Sequence, residues 1–128
     1  MSVSILVVDD EPDVAELFRQ HFRRETRQGT YVMHFATSGV EALDRLAAEI
    51  EPTLAAVLSD INMPGMDGLE LLGEIKQRRP DFPVMIVSAY GDDEGRRTRE
   101  LGAFEFITKP VDFDRLKEQL RQLPAAAD

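Results

Sequence analysis

Cysteine is absent from all 128 residues, which removes disulfides, thiolate metal sites and a cysteine nucleophile from consideration. Nothing in the chain therefore asks for an oxidising compartment. No run of about 18 apolar residues occurs, so no membrane span is expected. The stretch Met1 to Asp10 has neither a basic leader region nor a small-residue cleavage site, so no export is expected and a cytoplasmic address is the default. Basic residues are few: 15 Lys and Arg against 24 Asp and Glu give a formal charge of −9. That balance opposes a phosphate backbone or an anionic membrane as direct partner, because both need clustered cations. The nearest approach to a basic cluster is Arg96, Arg97 and Arg99, which on a helix reads as a solvated or protein-contact face.

What is present suits one compact domain. The composition, 43% apolar and 30% charged, is that of a globular protein long enough to bury a core unaided. Short runs rich in Val and Ile alternate with longer stretches of helical period, the pattern of a parallel sheet covered by helices. The expected strands are Val3 to Asp9, Tyr31 to Ala36, Leu54 to Asp60, Val84 to Ser88 and Phe104 to Ile107. The first, third and fourth are nearly continuous hydrophobes, as in strands buried on both faces.

Five helices are expected between and after them. Pro12 suits a first helical position, with Val14, Leu17 and Phe18 on the apolar stripe. Ser38 and Glu41 have capping-box spacing ahead of Val40, Leu43 and Leu46. Asp67 and Gly68 open a third helix with Leu69, Leu72 and Ile75. A fourth runs from about Asp92 to Gly102, and a fifth from about Asp112 carries Phe113, Leu116 and Leu120. Five β-α units of this size favour an α/β, flavodoxin-like, doubly wound five-stranded parallel sheet of order 2-1-3-4-5. The domain is expected over residues 1–123, with 124–128 a short tail or the start of a linker.

In such a sheet ligands bind beyond the carboxyl ends of the strands where the order reverses. Those ends carry Asp9, Asp10 and Glu11, then Asp60, Ile61 and Asn62, then Ser88 and Ala89, then Lys109 and Pro110. Carboxylates gathered there repel, by about 4 kcal/mol for unit charges 4 Å apart at an effective dielectric of 20, so a cation is expected. All-oxygen ligands without His or Cys suit Mg²⁺. Lys109 adds a point charge able to hold a carboxylate or phosphoryl oxygen, and Ser88 a hydroxyl donor. The set fits phosphoryl transfer to a carboxylate, with Asp60 as nucleophile and no general base needed.

Val8-Asp9-Asp10-Glu11, Asp60 within Leu58 to Gly68, Ser88-Ala89 and Thr108-Lys109-Pro110 together resemble the response-regulator receiver family of two-component signalling, over nearly the whole chain. The resemblance implies a phosphoacceptor at Asp60, with Mg²⁺ ligated by Asp10 and Asp60, by Asp9 through water and by the backbone carbonyl of Asn62. It implies that Lys109 and Ser88 assist transfer, and that Ser88 and Phe106 form a switch pair. The fourth helix, fifth strand and fifth helix would then be the output surface. The implied partners are a sensor histidine kinase or histidine phosphotransfer protein, and a downstream output domain or protein. A phosphorylation-dependent dimer is compatible with the pattern; direct nucleic-acid or membrane contact is not expected. The implied role is signalling rather than metabolic, the domain catalysing its own phosphorylation and dephosphorylation at Asp60, with Tyr90 and Asn62 flanking the path of hydrolytic water.

Other readings exist for each residue taken singly. Asp9 and Asp10 suit a helix N-terminus, Asp60 turn chemistry, Lys109 a solvated surface and Phe106 ordinary core. A phosphohydrolase forming an aspartyl-phosphate would carry a second acid where Asn62 stands. A nucleotide-binding module would want a Gly-rich loop where Asp9-Asp10-Glu11-Pro12 stands. A degenerate receiver would lack part of the set Asp9, Asp10, Asp60, Ser88 and Lys109. His21 and His34 have no ligand-like spacing and read as structural or solvent-facing.

Overall fold

The computed structural model describes residues 3–48, 54–89 and 92–123. Tyr90 and the tail from Pro124 lie outside the described residues. Strands β1 (Val3–Val8), β2 (Tyr31–Ala36), β3 (Leu54–Asp60), β4 (Val84–Ser88) and β5 (Glu105–Thr108) form one parallel sheet in the order β2-β1-β3-β4-β5. Every residue of β1, β3 and β4 is buried, which is why those segments read as continuous hydrophobes. The edge strands β2 and β5 are only partly buried. Three strands have the bounds expected from sequence. The first stops one residue short, at Val8, and the fifth is displaced by one: Phe104, 39% exposed, donates its amide to Val84 O just ahead of the ladder that starts at Met85 and Glu105.

The helices are α1 (Pro12–His21), α2 (Arg23–Arg27), α3 (Gly39–Ala47), α4 (Gly68–Arg78), α5 (Asp92–Glu100) and α6 (Phe113–Arg121). Six are present among the described residues where five are expected, because Phe22 breaks the first. Its backbone leaves the helical region (φ −106°, ψ 11°), and its fully buried ring lies between Phe18, Tyr31 and Phe113 at centroid distances of 6.0, 5.7 and 6.2 Å. Burial of one aromatic ring outweighs continuity of the helix. One apolar layer joins α1 and α6 to the sheet through Phe18, Phe22, Phe113, Leu116 and Leu120; the opposite layer joins α3 and α4 through Ala42, Leu46, Leu71, Leu72 and Ile75.

Helix phase corrects two expected core positions. In α3 the buried set is Gly39, Ala42, Leu43 and Leu46, at i, i+3, i+4 and i+7, which leaves Val40 61% exposed. In α1, Leu17 is 43% exposed beside buried Phe18. The caps follow local chemistry. Ser38 Oγ accepts from Glu41 N at 3.1 Å, while the Glu41 carboxylate turns to Thr37; Asp67 and Glu70 form the reciprocal capping box. Gly102 closes the turn after α5 at φ +96°.

Glu25 Oε2 meets Lys117 Nζ at 2.8 Å, tying α2 to α6, with both side chains mostly shielded. Burial pushes the Glu25 carboxyl up, but hydrogen bonds from Lys117 and its own backbone, with the charges of Lys117 and Arg24, outweigh it and leave the group below its ordinary 4.5. A depressed carboxylate stabilises the fold above its unfolded pKa and stops doing so as pH falls through the folded value. Glu25→Gln is therefore expected to cost about 1 kcal/mol at neutral pH. In urea unfolding the deficit should shrink below pH 4.5.

Candidate functional site

The site is a product of register. Val8 is level with Ser59 across β1 and β3, so Asp9 and Asp60 leave the sheet side by side. Asp60 is level with Val87, and Ser88 with Thr108, which brings Lys109 to the same edge. Asp9, Asp10 and Asp60 each offer one carboxylate oxygen, all within 4.8 Å of one another. Lys109 Nζ lies 3.2 Å from Asp60 Oδ1 and 3.8 Å from Asp9 Oδ2. The Glu11 amide donates to Asp9 Oδ1 at 2.9 Å, fixing the carboxylate at the head of α1.

Asp9 and Asp60 are nearly buried and Asp10 is exposed. Burial raises the Asp9 pKa, and the neighbouring Asp60 and Glu11 charges add to the rise; the Glu11 amide and Lys109 oppose it without cancelling it. A shielded carboxylate that resists ionisation beside two others, with one ammonium among them, is a site short of positive charge. The donors are hard oxygens from a small number of carboxylates, as Mg²⁺ prefers. The residues present fit such an ion.

The backbone beneath Asp60 is held from two sides that sequence reading did not single out. Ser59 Oγ donates to Asp60 O at 3.0 Å in a fully buried position. Gly68, at the first turn of α4, donates its amide to Ile61 O at 2.8 Å and approaches so closely that a β-carbon there would sit 2.2 Å from Asp60 O. The signal was Gly68, expected from sequence to open the third helix but not to approach Asp60 closely. Gly65 does serve the turn, at φ +75°. Asn62 lies exposed in this turn.

Ser88 is completely buried at the end of β4, and its carbonyl accepts from Lys109 N at 2.8 Å. Ile86 is level with Phe106, so strand alternation places Ser88 and Phe106 on one face of the sheet, two residues apart along it. Phe106 is half-buried and faces Gly95, where an added β-carbon would meet its ring at 3.3 Å. The histidines stand apart from the site. His21 stacks on Phe113 at 3.9 Å, and His34 lies on edge strand β2 with Nε2 buried and without a partner among the described residues.

Two recesses flank the site. An apolar cleft of about 470 Å³ runs from Asp9 and Asp60 past Val14, Leu17, Pro110 and Val111. A groove of about 700 Å³ lies between α5, β5 and α6, lined by Arg96, Arg99, Phe106, Arg115 and Gln119 among others.

The model of the response regulator receiver domain family matches residues 5–121. Response regulator protein PilR of Pseudomonas aeruginosa is 39% identical over 117 residues, which are 88% of this chain and 24% of PilR. Sporulation initiation phosphotransferase F of Bacillus subtilis is 35% identical over 123 residues, 95% of this chain and 94% of that protein. The chain thus spans about a quarter of one relative and nearly all of the other. Response regulator protein TrrA of Thermotoga maritima, solved in complex with Mg(2+)-BeF, superposes with a TM-score of 0.76 at 34% identity, covering 92% of this chain and 96% of that one.

Two glycines of α4 separate close approach from helix propensity. A β-carbon added at Gly73 would have nothing within 4 Å, so Gly73→Ala should stabilise the fold by about 0.5–1 kcal/mol. Gly68→Ala must displace the Asp60 backbone, and is expected to destabilise by about 1–3 kcal/mol. Mg²⁺ affinity by calorimetric titration should fall by roughly tenfold in Gly68→Ala, because the ligand geometry is disturbed, and stay unchanged in Gly73→Ala.

Proposed function

Because the chain belongs to the response regulator receiver domain family of two-component signalling, we propose that Asp60 is its phosphoacceptor, loaded from a phosphohistidine of a sensor kinase or phosphotransfer protein. The observation that carries this is the meeting of Asp60 with Asp9, Asp10 and Lys109 at one sheet edge. An Asp60 carboxylate oxygen attacks phosphorus in line, the P–N bond to the donor imidazole breaks with its electron pair going to nitrogen, and an acyl phosphate forms. The buried strand end and Lys109 hold the nucleophile in place, so positioning does most of the work. Mg²⁺ held by Asp9, Asp10, Asp60 and the Asn62 carbonyl would neutralise charge on the phosphoryl oxygens.

Lys109, 3.2 Å from Asp60 in the unphosphorylated state, turns from the carboxylate to a phosphoryl oxygen, and the Ser88 hydroxyl donates to another. Phe106 follows on the same face, and the change reaches α5, β5 and α6, which form the output surface. Moving such an equilibrium from 1:99 to 99:1 takes about 5.5 kcal/mol of differential binding, within reach of a phosphoryl group bearing close to two charges. Attack of water on phosphorus, past exposed Asn62, breaks the P–O bond to Asp60, releases inorganic phosphate and returns the carboxylate to its resting state.

The domain occupies residues 1–123, and its output is an attached domain or a separate protein, with phosphorylation-dependent dimerisation as one form of response. No helix among the described residues is long and apolar enough to cross a membrane, and we place the domain in the cytoplasm with its kinase. The cleft at Val14, Leu17, Pro110 and Val111 opens beside Asp60 and supports docking of an apolar helix of the phosphodonor there.

Intact mass after incubation with acetyl phosphate and Mg²⁺ tests the reading. One phosphoryl group should be gained, and none in Asp60→Asn or with EDTA; no gain by the folded parent would point to docking independent of phosphorylation. Ser88→Ala should still be labelled while its response at the output face weakens. Leu17→Glu should leave labelling by acetyl phosphate intact and slow transfer from a phosphorylated donor protein by roughly tenfold or more, read as the initial rate of label transfer.

A further inference from the structure

The basic cluster that the sequence showed first, Arg96, Arg97 and Arg99, has a counterpart elsewhere on the molecule. Arg23, Arg24 and Arg27 stand exposed on the five residues of α2. A single turn is too short to persist unaided, and it is fastened on its inner side by fully buried Phe22 and by the Glu25–Lys117 pair. Lys117 Nζ also lies 5.2 Å from the Phe22 ring centre. The outer side therefore presents three exposed arginines on an anchored backbone turn.

A shallow recess of about 510 Å³ is lined by Arg23, Arg24, Arg27, Lys117 and His21. Glu25 is the one carboxylate among its lining residues, and Lys117 already holds it. None of the three arginines forms an ion pair with a described residue. Leaving three cations unmatched in a chain of net charge −9 requires spatial separation from the acids. The fold supplies it: α1 leads away from the carboxylate edge, and Thr30 N bonds Glu25 O at 2.8 Å while Val3 N bonds Thr30 O at 3.0 Å, so α2 lies beside the starts of β1 and β2. The patch is at the sheet edge opposite Asp60.

We propose that this patch is a docking surface for a carboxylate-rich segment of a partner protein, separate from phosphodonor and output faces. Guanidinium forks match carboxylates in bidentate pairs. The patch is a single turn, about 8 Å at 1.5 Å per residue, enough for a few acidic side chains. A nucleic acid or lipid surface extends far beyond it and would meet the acidic remainder of the chain. No large apolar side chain of α2 is exposed, so the contact is polar, salt-sensitive and fast.

Anisotropy of a fluorescent peptide rich in Glu, titrated with the whole chain at low salt, reads the interaction. Reversal at Arg23→Glu, Arg24→Glu and Arg27→Glu should weaken binding about tenfold or more, while the equal charge change Arg96→Glu, Arg97→Glu and Arg99→Glu weakens it less than about twofold. Both variants should still be labelled by acetyl phosphate, which reports an intact fold independently of the patch. If the reversal variant fails to fold, the corresponding Arg→Gln triple is measured, and parent-like binding by it overturns the proposal. Equal losses in both charge-reversal sets overturn it too. So does tighter binding of a single-stranded oligonucleotide or of phosphatidylglycerol vesicles, or concentration-dependent self-association that the α2 variant abolishes.

Discussion

Three carboxylates held within 4.8 Å of one another set the terms for the rest of this molecule. Each pair of unit charges about 4 Å apart repels by about 4 kcal/mol at an effective dielectric of 20, and an unsupported loop would relax by swinging them apart. Here Asp9 follows directly on β1 and Asp60 ends β3, two wholly buried strands whose parallel register fixes them side by side. Lys109 offsets part of the repulsion at 3.2 and 3.8 Å, and burial first, with the Asp60 and Glu11 charges behind it, still raises the pKa of Asp9. The unrelieved charge is what makes the edge receptive to a divalent cation, and on the proposed function to a phosphoryl group brought with it.

Rigidity under the carboxylates contrasts with the far side of the sheet. β5 has four residues, only Ile107 of them buried, and Phe106 is half-buried against Gly95. Local rearrangement costs least where fewest apolar contacts must be broken. Ser88 bridges the two regimes: it is completely buried, on the face it shares with Phe106, and its carbonyl holds the backbone of Lys109. On the proposed function, a change in what Lys109 and Ser88 bind would be transmitted toward the part of the sheet least able to resist it. Charge is partitioned along the other axis. The acids gather at the carboxyl ends of β1 and β3, while α2 gathers arginines near the amino ends, about one helix length away.

Much of this was legible from residue order because parallel sheets buried on both faces leave long hydrophobic runs. β2, β3 and β4 have the bounds read from sequence, and Asp67 and Ser38 cap the helices their spacing announced. Misreadings cluster where one tertiary contact outweighs local pattern. Phe22 carries helical spacing but is drawn into a ring cluster with residues of β2 and α6, which splits the helix and creates α2. Val40 lies one position off the buried phase of α3, a shift that apolar character alone does not reveal.

At the site, sequence named the residues because strand ends converge in any sheet of this order, and charged residues at strand ends stand out against hydrophobic strands. It could not assign Ser59 or Gly68 to the site, because their contacts there are with backbone atoms around Asp60. Nor could it show that Arg23, Arg24 and Arg27 face outward together, since that depends on Phe22 and Glu25 being fastened inward. Sequence by itself determined the α/β class, the strand order and the charged residues that meet at the carboxylate edge, because periodicity and charge are properties of the chain. Distances, register, the direction of α2 and the close approach of Gly68 were decided only by the tertiary structure, because each depends on which distant side chains compete for the same buried space.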